Sequence, residues 1–179
     1  MTGPRITPGG LRENGPLIWG FAQIAGRVTG TTPPNVFSTL GRGRGLFWGW
    51  LHFSGKLMPG GKLPRRLTEL AIIRVAHLRG CQYELDHHVR LGRRAGVTAE
   101  DLERVYAGPD TDGWTPAEQA LLRAVDELVH EKDISDPTWT ALRSAYDDRR
   151  VLELVMLVGH YDALATTLLT LRVQPDRRR

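Results

Sequence analysis

Apolar residues in this chain recur three and four positions apart and almost never alternate. That spacing builds helices and leaves little material for a sheet. Glycine, proline and capping residues divide the pattern into segments. A first helix is expected over 15–28, broken by Gly30 to Asn35. A second helical stretch runs from Asn35 to Leu57, interrupted by Gly41, Gly43 and Gly45, because each interior glycine costs about 1 kcal/mol. After the boundary Pro59 to Pro64, the spacing predicts helices over 65–78 and 81–95, the latter stopped by Gly96. Thr98 to Asp101 and Thr115 to Glu118 read as capping boxes. Asp136-Pro137 repeats the cap-plus-proline device, and a last helix covers 148–171. The expectation is an all-α bundle of seven or eight helices. It would comprise an N-terminal helical extension (1–60), a helical core (61–175) and a basic tail (176–179).

Composition bounds the function classes. The chain has 179 residues, 41% hydrophobic and 25% charged, with a formal net charge of +4. That is ordinary for a folded domain. The basic residues do not line up with stacking aromatics, so no nucleic acid is expected as partner. The N-terminal MTGPRITPGG lacks an apolar core of the kind a signal peptide needs. The apolar run 151–173 carries Glu153, His160, Asp162 and Arg172, which suits a helix buried in the fold or at a subunit interface and not a membrane anchor. One cysteine excludes an intrachain disulfide and a CxxC redox pair. A reducing, cytoplasmic setting fits it.

The chemistry concentrates in GCQYELDHHVR, Gly80 to Arg90. On a helix, Cys81, Glu84, Leu85, His88, Leu91, Gly92 and Ala95 share one face, while Tyr83, Asp86 and His87 point elsewhere. A thiol, a carboxyl and an imidazole thus stand on an apolar stripe. Glu84 and His88 are at i, i+4, which permits direct contact. The preceding helix repeats the anomaly: Glu69 falls among Ile72, Ile73 and Ala76. A carboxyl in such company loses hydration and calls for a cation, with Arg66 one turn before it. A buried carboxyl beside an imidazole is the arrangement that proton transfer near neutral pH requires. The bland alternatives are a cysteine acting as a small hydrophobe and a structural Glu–His contact. No HExxH spacing occurs, and no metal site is expected.

The spacing Glu69-x11-Cys81-x2-Glu84-x3-His88, with its flanking text from Leu63 to Leu102, resembles the carboxymuconolactone decarboxylase-like family of the alkylhydroperoxidase D-like superfamily. The likeness extends to about Val173. It implies an all-helical fold, assembly into a homo-oligomer (trimer or hexamer) and sites near subunit interfaces. The peroxidase branch has Glu, CxxC and His at these positions. By the resemblance, Glu69, Cys81 and His88 match them, and Glu84 replaces the second cysteine. The decarboxylase branch works by acid–base chemistry without a cofactor, and Glu84, His88 and Arg90 suit its pattern. The expectation is therefore a cofactor-free lyase or isomerase acting on a small carboxylated or enolisable molecule. Glu69, Cys81, Glu84 and His88 are its candidate catalytic residues, and Arg66, Tyr83 and His160 its candidate substrate contacts. A single-cysteine, thiol-dependent peroxidase and a non-catalytic binding oligomer are the rival readings. No membrane partner is expected.

Overall fold

The computed structural model describes residues 3–177. Arg178 and Arg179, half of the expected basic tail, lie outside them. Among the described residues there are nine α-helices and no sheet: α1 (Leu11–Thr29), α2 (Asn35–Leu40), α3 (Gly45–Leu57), α4 (Arg65–Leu78), α5 (Gln82–Arg94), α6 (Ala99–Ala107), α7 (Pro116–His130), α8 (Asp136–Ala145) and α9 (Asp148–Leu171). The chain forms two compact units, one running up to Gly55 and taking back the segment from Thr167 onward, the other Lys56–Thr166. The end of the last helix thus groups with the N-terminal segment.

In the first unit, the expected glycine interruption is real. A 3-10 turn, Gly41–Gly43, separates α2 from α3. Phe21, Phe37, Phe47 and Trp48 pack edge to face, with Phe21 and Phe37 centred 5.1 Å apart, and Trp50 lies tilted against Phe37 and Phe47. Such pairs add about 1 kcal/mol each beyond area burial. Buried Asn14 ties the N-terminal lead to α2 by donating to the carbonyls of Gly9 (2.9 Å) and Ser38 (3.0 Å). The tail returns to α2, where Asp176 accepts from the Asn35 amide at 2.8 Å.

The second unit is organised around α4, in which nine consecutive residues, Thr68 to Ala76, are buried. Only a helix surrounded on all sides reads this way. Its principal neighbours are α5, α7 and α6. Arg74 crosses this core. Its guanidinium is bidentate to Asp126 at 2.7 Å and donates to the carbonyls of Val105 and Tyr106. Both expected capping boxes form, Thr98 with Asp101 and Thr115 with Glu118. Arg66 then binds both capping carboxylates, Asp101 at 2.8 Å and Glu118. One guanidinium therefore pins the starts of α6 and α7 to α4.

One expectation needs correction. The N-cap of α8 is Ser135, not Asp136, and Asp136 and Pro137 occupy its first turn. Glu127 of α7 explains this, since it accepts from the Ser135 amide (2.7 Å), the Ser135 hydroxyl (3.0 Å) and the Thr138 hydroxyl (2.6 Å). The last helix is not enclosed by its own chain. Only about a third of its most apolar stretch is buried, with Leu152 and Met156 exposed. Among the described residues it is the one helix long and apolar enough to cross a bilayer by length and composition. Its acids are engaged inside the unit. Glu153 accepts from the amides of Lys62 (2.6 Å) and Leu63 (3.0 Å), fixing the loop that enters α4.

Candidate active site

Three helices of the second unit bring the site together. A tight turn joins α4 to α5. Gly80 takes a left-handed φ of 62°, and the Cys81 amide donates to the Ala76 carbonyl at 2.8 Å. A side chain other than glycine resists that backbone. Further along, Gly92 lets α5 lie close to α4: a Cβ there would stand 3.2 Å from Ile73 and 3.3 Å from Val97. The hairpin places His88 directly opposite Glu69. Tyr161 of α9 closes the third side, its ring edge-on to His88 with centroids 5.0 Å apart at 89°.

Glu69 has no solvent exposure at all. Its Oε2 lies 2.8 Å from His88 Nδ1, and its Oε1 lies 2.9 Å from Arg65 Nη2. The Arg65 contact is an ion pair of imperfect hydrogen-bond geometry. A carboxylate this deep is tolerable only when paired. Burial holds His88 below its ordinary pKa, against the opposing pull of Glu69. The imidazole is therefore neutral near pH 7. Bonded as it is, it carries its proton on Nδ1, donates to Glu69 and keeps Nε2 as a base.

Glu84 is 2% exposed, and neither of its oxygens has a partner of good hydrogen-bond geometry. Burial pushes its carboxyl up to about 8; the Cys81 thiol, which favours the ionised form, opposes the rise, and the Asp162 charge adds to it. Asp162 is itself held ionised by Arg79 and Lys132. Glu84 is thus an acid that keeps its proton at neutral pH. Cys81, 1% exposed at the N-cap of α5, is pushed up to about 12 by burial and then by Glu84. That setting disfavours the thiolate, the reactive form of a cysteine. Burial, with the charges of Glu69 and Glu84, likewise keeps the Tyr161 hydroxyl protonated.

The structure thus brings Glu69, Glu84, Cys81 and His88 onto adjoining faces, with a difference in pairing. His88 Nδ1 meets Glu69 on the neighbouring helix, and Glu84, at a spacing that permits contact with His88, pairs with Cys81. Arg66 stands apart, engaged by Asp101 and Glu118, and the cation at Glu69 is Arg65. Tyr83 is buried at 6%, against the expectation that it points away from the core face, and it stacks on His87 at 4.9 Å. His160 is half-buried, lies edge-on to Tyr161 at 5.3 Å and is held below its ordinary pKa by burial. Tyr161 and Arg65 were not foreseen. The i, i+4 spacing of Arg65 and Glu69 is a signal that could have found Arg65. Nothing in the sequence marks Tyr161. Among the described residues, no three His, Cys, Asp or Glu side chains converge on a point that could hold a metal ion.

Residues 44–127 match the model of the carboxymuconolactone decarboxylase family. The likeness to that family is carried by this segment. The matched segment holds Glu69, Cys81, Glu84 and His88 but ends before Tyr161. The chain is 27% identical over 101 residues to the uncharacterized protein YdfG of Bacillus subtilis (strain 168), covering 55% of this chain and 69% of that one. In fold it is similar to an uncharacterized peroxidase-related protein from Silicibacter sp. TM1040, with a TM-score of 0.81, 16% identity and coverage of 98% and 95%. It is similar also to the alkylhydroperoxidase AhpD core protein from Ralstonia eutropha JMP134, with a TM-score of 0.77, 18% identity and coverage of 88% and 84%. A variant of the debrominase Bmp8 in complex with 2,3,4-tribromopyrrole gives a TM-score of 0.77 at 16% identity, with coverage of 94% and 90%. These likenesses establish the alkylhydroperoxidase D-like helical fold, and the chemistry rests on the side chains.

The raised Glu84 carboxyl makes a prediction for stability. Its folded pKa lies near 8 and its ordinary value is 4.5, so between those pH values the folded state binds more protons. Stability should fall by a few kcal/mol from pH 5 to 9, since each pKa unit is worth about 1.4 kcal/mol. Urea denaturation across this range should show the decline in the native chain and a flatter profile in Glu84→Gln. Equal profiles would mean that Glu84 is not a buried neutral acid.

Proposed function

We propose that the chain is a cofactor-free acid–base enzyme of lyase or isomerase type, acting on a small carboxylated or enolisable organic molecule. His88 is the base and Glu84 the acid. The observation that carries the reading is the pairing of a neutral, carboxylate-oriented imidazole with a protonated carboxyl one helical turn away. Proton abstraction by Nε2 of His88 would form an imidazolium, and the Glu69 carboxylate bonded to Nδ1 would stabilise it. Glu84, still protonated at pH 7, would return a proton at the other end of the reacting unit. Tyr161 holds the imidazole in place from α9. A carboxyl driven to its neutral form beside a neutral imidazole suits divided acid and base roles.

The rival peroxidase reading needs a thiolate at Cys81. The thiol is buried and pushed up to about 12, and the neighbouring position is Glu84 where a resolving cysteine would stand. The thiolate fraction at pH 7 is then about one part in 10⁵, too small for a rapid peroxide cycle. The fold neighbours bearing peroxidase and debrominase names do not weigh against this, because likeness at this level of identity concerns the backbone path.

A homo-oligomer belongs to the same proposal. Leu17, Ile24 and Val28 form an exposed apolar ridge along α1, and Leu152 and Met156 another along α9. Exposed apolar surface of this extent marks association. Sedimentation at micromolar concentration should give a mass that is a multiple of 20.0 kDa. A stable monomer would contradict it.

For the chemistry, a screen of small enolisable and carboxylated compounds identifies a turnover assay. Under it, His88→Gln and Glu69→Gln should each lower kcat by 10²-fold or more, the usual worth of a positioned general base. Cys81→Ser should change it less than threefold. The pH profile should be a bell, its acid limb below 6.5 from His88 and its alkaline limb near 8 from Glu84. Turnover that survives His88→Gln, or peroxide consumption that vanishes in Cys81→Ser, would overturn the reading.

A further inference from the structure

Arg65 is the first residue of α4 and reaches inward to a side chain with no exposure, while its own side chain is 39% exposed. It is the only route by which a solvated charge touches the Glu69–His88 pair among the contacts described above. Its neighbour Arg66 cannot substitute, being held by Asp101 and Glu118. The Arg65–Glu69 contact is an ion pair without good hydrogen-bond alignment, so the guanidinium is attached to Glu69 by charge and retains donors for another anion.

We propose that Arg65 is the positioning residue of the dyad and an anion-responsive control on it: its pairing with Glu69 sets the proton affinity of His88, and a small oxyanion competing for the guanidinium changes that affinity. This rests on the reading of Glu69 and His88 as the active pair. The groups that face the imidazole are few. From α4 come Glu69 and Arg65. From α9 comes Tyr161, with His160 against its ring. From α5 itself come His87 and Glu84, one step and one turn away. Tyr161 and Glu84 are neutral near pH 7, so the pull of Glu69 is opposed by His87 and then by Arg65, and Arg65 acts from a contact with the carboxylate itself. With Arg65 in place, the carboxylate is shared and the imidazole stays neutral. With Arg65 withdrawn, the whole negative charge falls on His88 and favours imidazolium. The sign is fixed: weakening the Arg65 contact raises the His88 titration midpoint.

The test needs no substrate. The His88 ring resonances are titrated by NMR in the native chain, in Arg65→Gln and in Arg65→Lys, each with and without 100 mM sodium sulfate at constant ionic strength. Arg65→Gln should raise the His88 midpoint by one unit or more, the usual effect of an unbalanced charge within about 4–6 Å. Arg65→Lys should keep it within half a unit. Sulfate should move the native midpoint upward and leave that of Arg65→Gln unchanged. A native midpoint indifferent to sulfate, or a midpoint unmoved in Arg65→Gln, overturns the proposal. If Arg65→Gln does not fold, the sulfate response of the native chain against that of Arg65→Lys decides it: equal responses overturn the proposal, and a weaker one in Arg65→Lys upholds it, because a lysine lacks the planar fork that binds an oxyanion through two parallel donors. A failure of the acid–base reading shows separately, as unaffected turnover in His88→Gln with the Arg65–His88 coupling intact.

Discussion

One carboxylate governs this structure. Glu69 lies wholly out of water between an arginine and a histidine, near the start of nine consecutive buried positions. Removing one partner from a buried ion pair costs about 3–5 kcal/mol, so its surroundings are not free to vary. Arg65 must precede it by a turn, and α5 must approach closely enough for His88 to reach it. The left-handed turn at Gly80 and the missing side chain at Gly92 both serve that approach. The site is therefore a property of the α4–α5 hairpin before it is a property of any reaction.

The remaining ionisable groups of the second unit divide into two kinds. Arg74–Asp126, Arg66 with the two capping acids, and Arg79 and Lys132 with Asp162 pair opposite charges and hold helices together. Glu84 has no such cation. It sits beside a buried thiol, and burial first and the Asp162 charge after it push it toward its neutral form. A buried carboxyl without a cation is costly in a well-packed unit. Its place next to the Glu69–His88 pair is what gives the acid–base interpretation its weight. The cysteine, the first residue in the segment to suggest reactivity, serves as a small apolar neighbour of that acid.

Much of this was legible in the residues, and the failures are instructive. The bounds of α4 and α9 follow from apolar periodicity and proline placement, and Glu69, Glu84 and His88 stand out because charge on an apolar stripe is rare. Pairing was harder. Helical spacing favoured Glu84 as the partner of His88, but only the tilt between two helices decides which carboxyl an imidazole meets, and periodicity carries no tilt. Arg66 was the cation expected at Glu69, but the capping acids of α6 and α7, distant in sequence, claim it, and Arg65 takes its place. Ser135 displaced Asp136 as a cap because Glu127 reaches it from another helix. Tyr161 lies 73 residues beyond His88 and inside an apolar helix, where an aromatic ring has no distinguishing mark. In each case a tertiary contact overrode a local rule.

The most direct check of the central claim is the tautomer of His88 at pH 7, read from the nitrogen-15 shifts of its two ring nitrogens and their couplings to the ring protons. The structure requires a neutral ring with its proton on Nδ1, shared with Glu69, and a bare Nε2. A ring protonated on Nε2 alone, or on both nitrogens, would mean that Glu69 does not orient a base there, and the account of the site would fall with it.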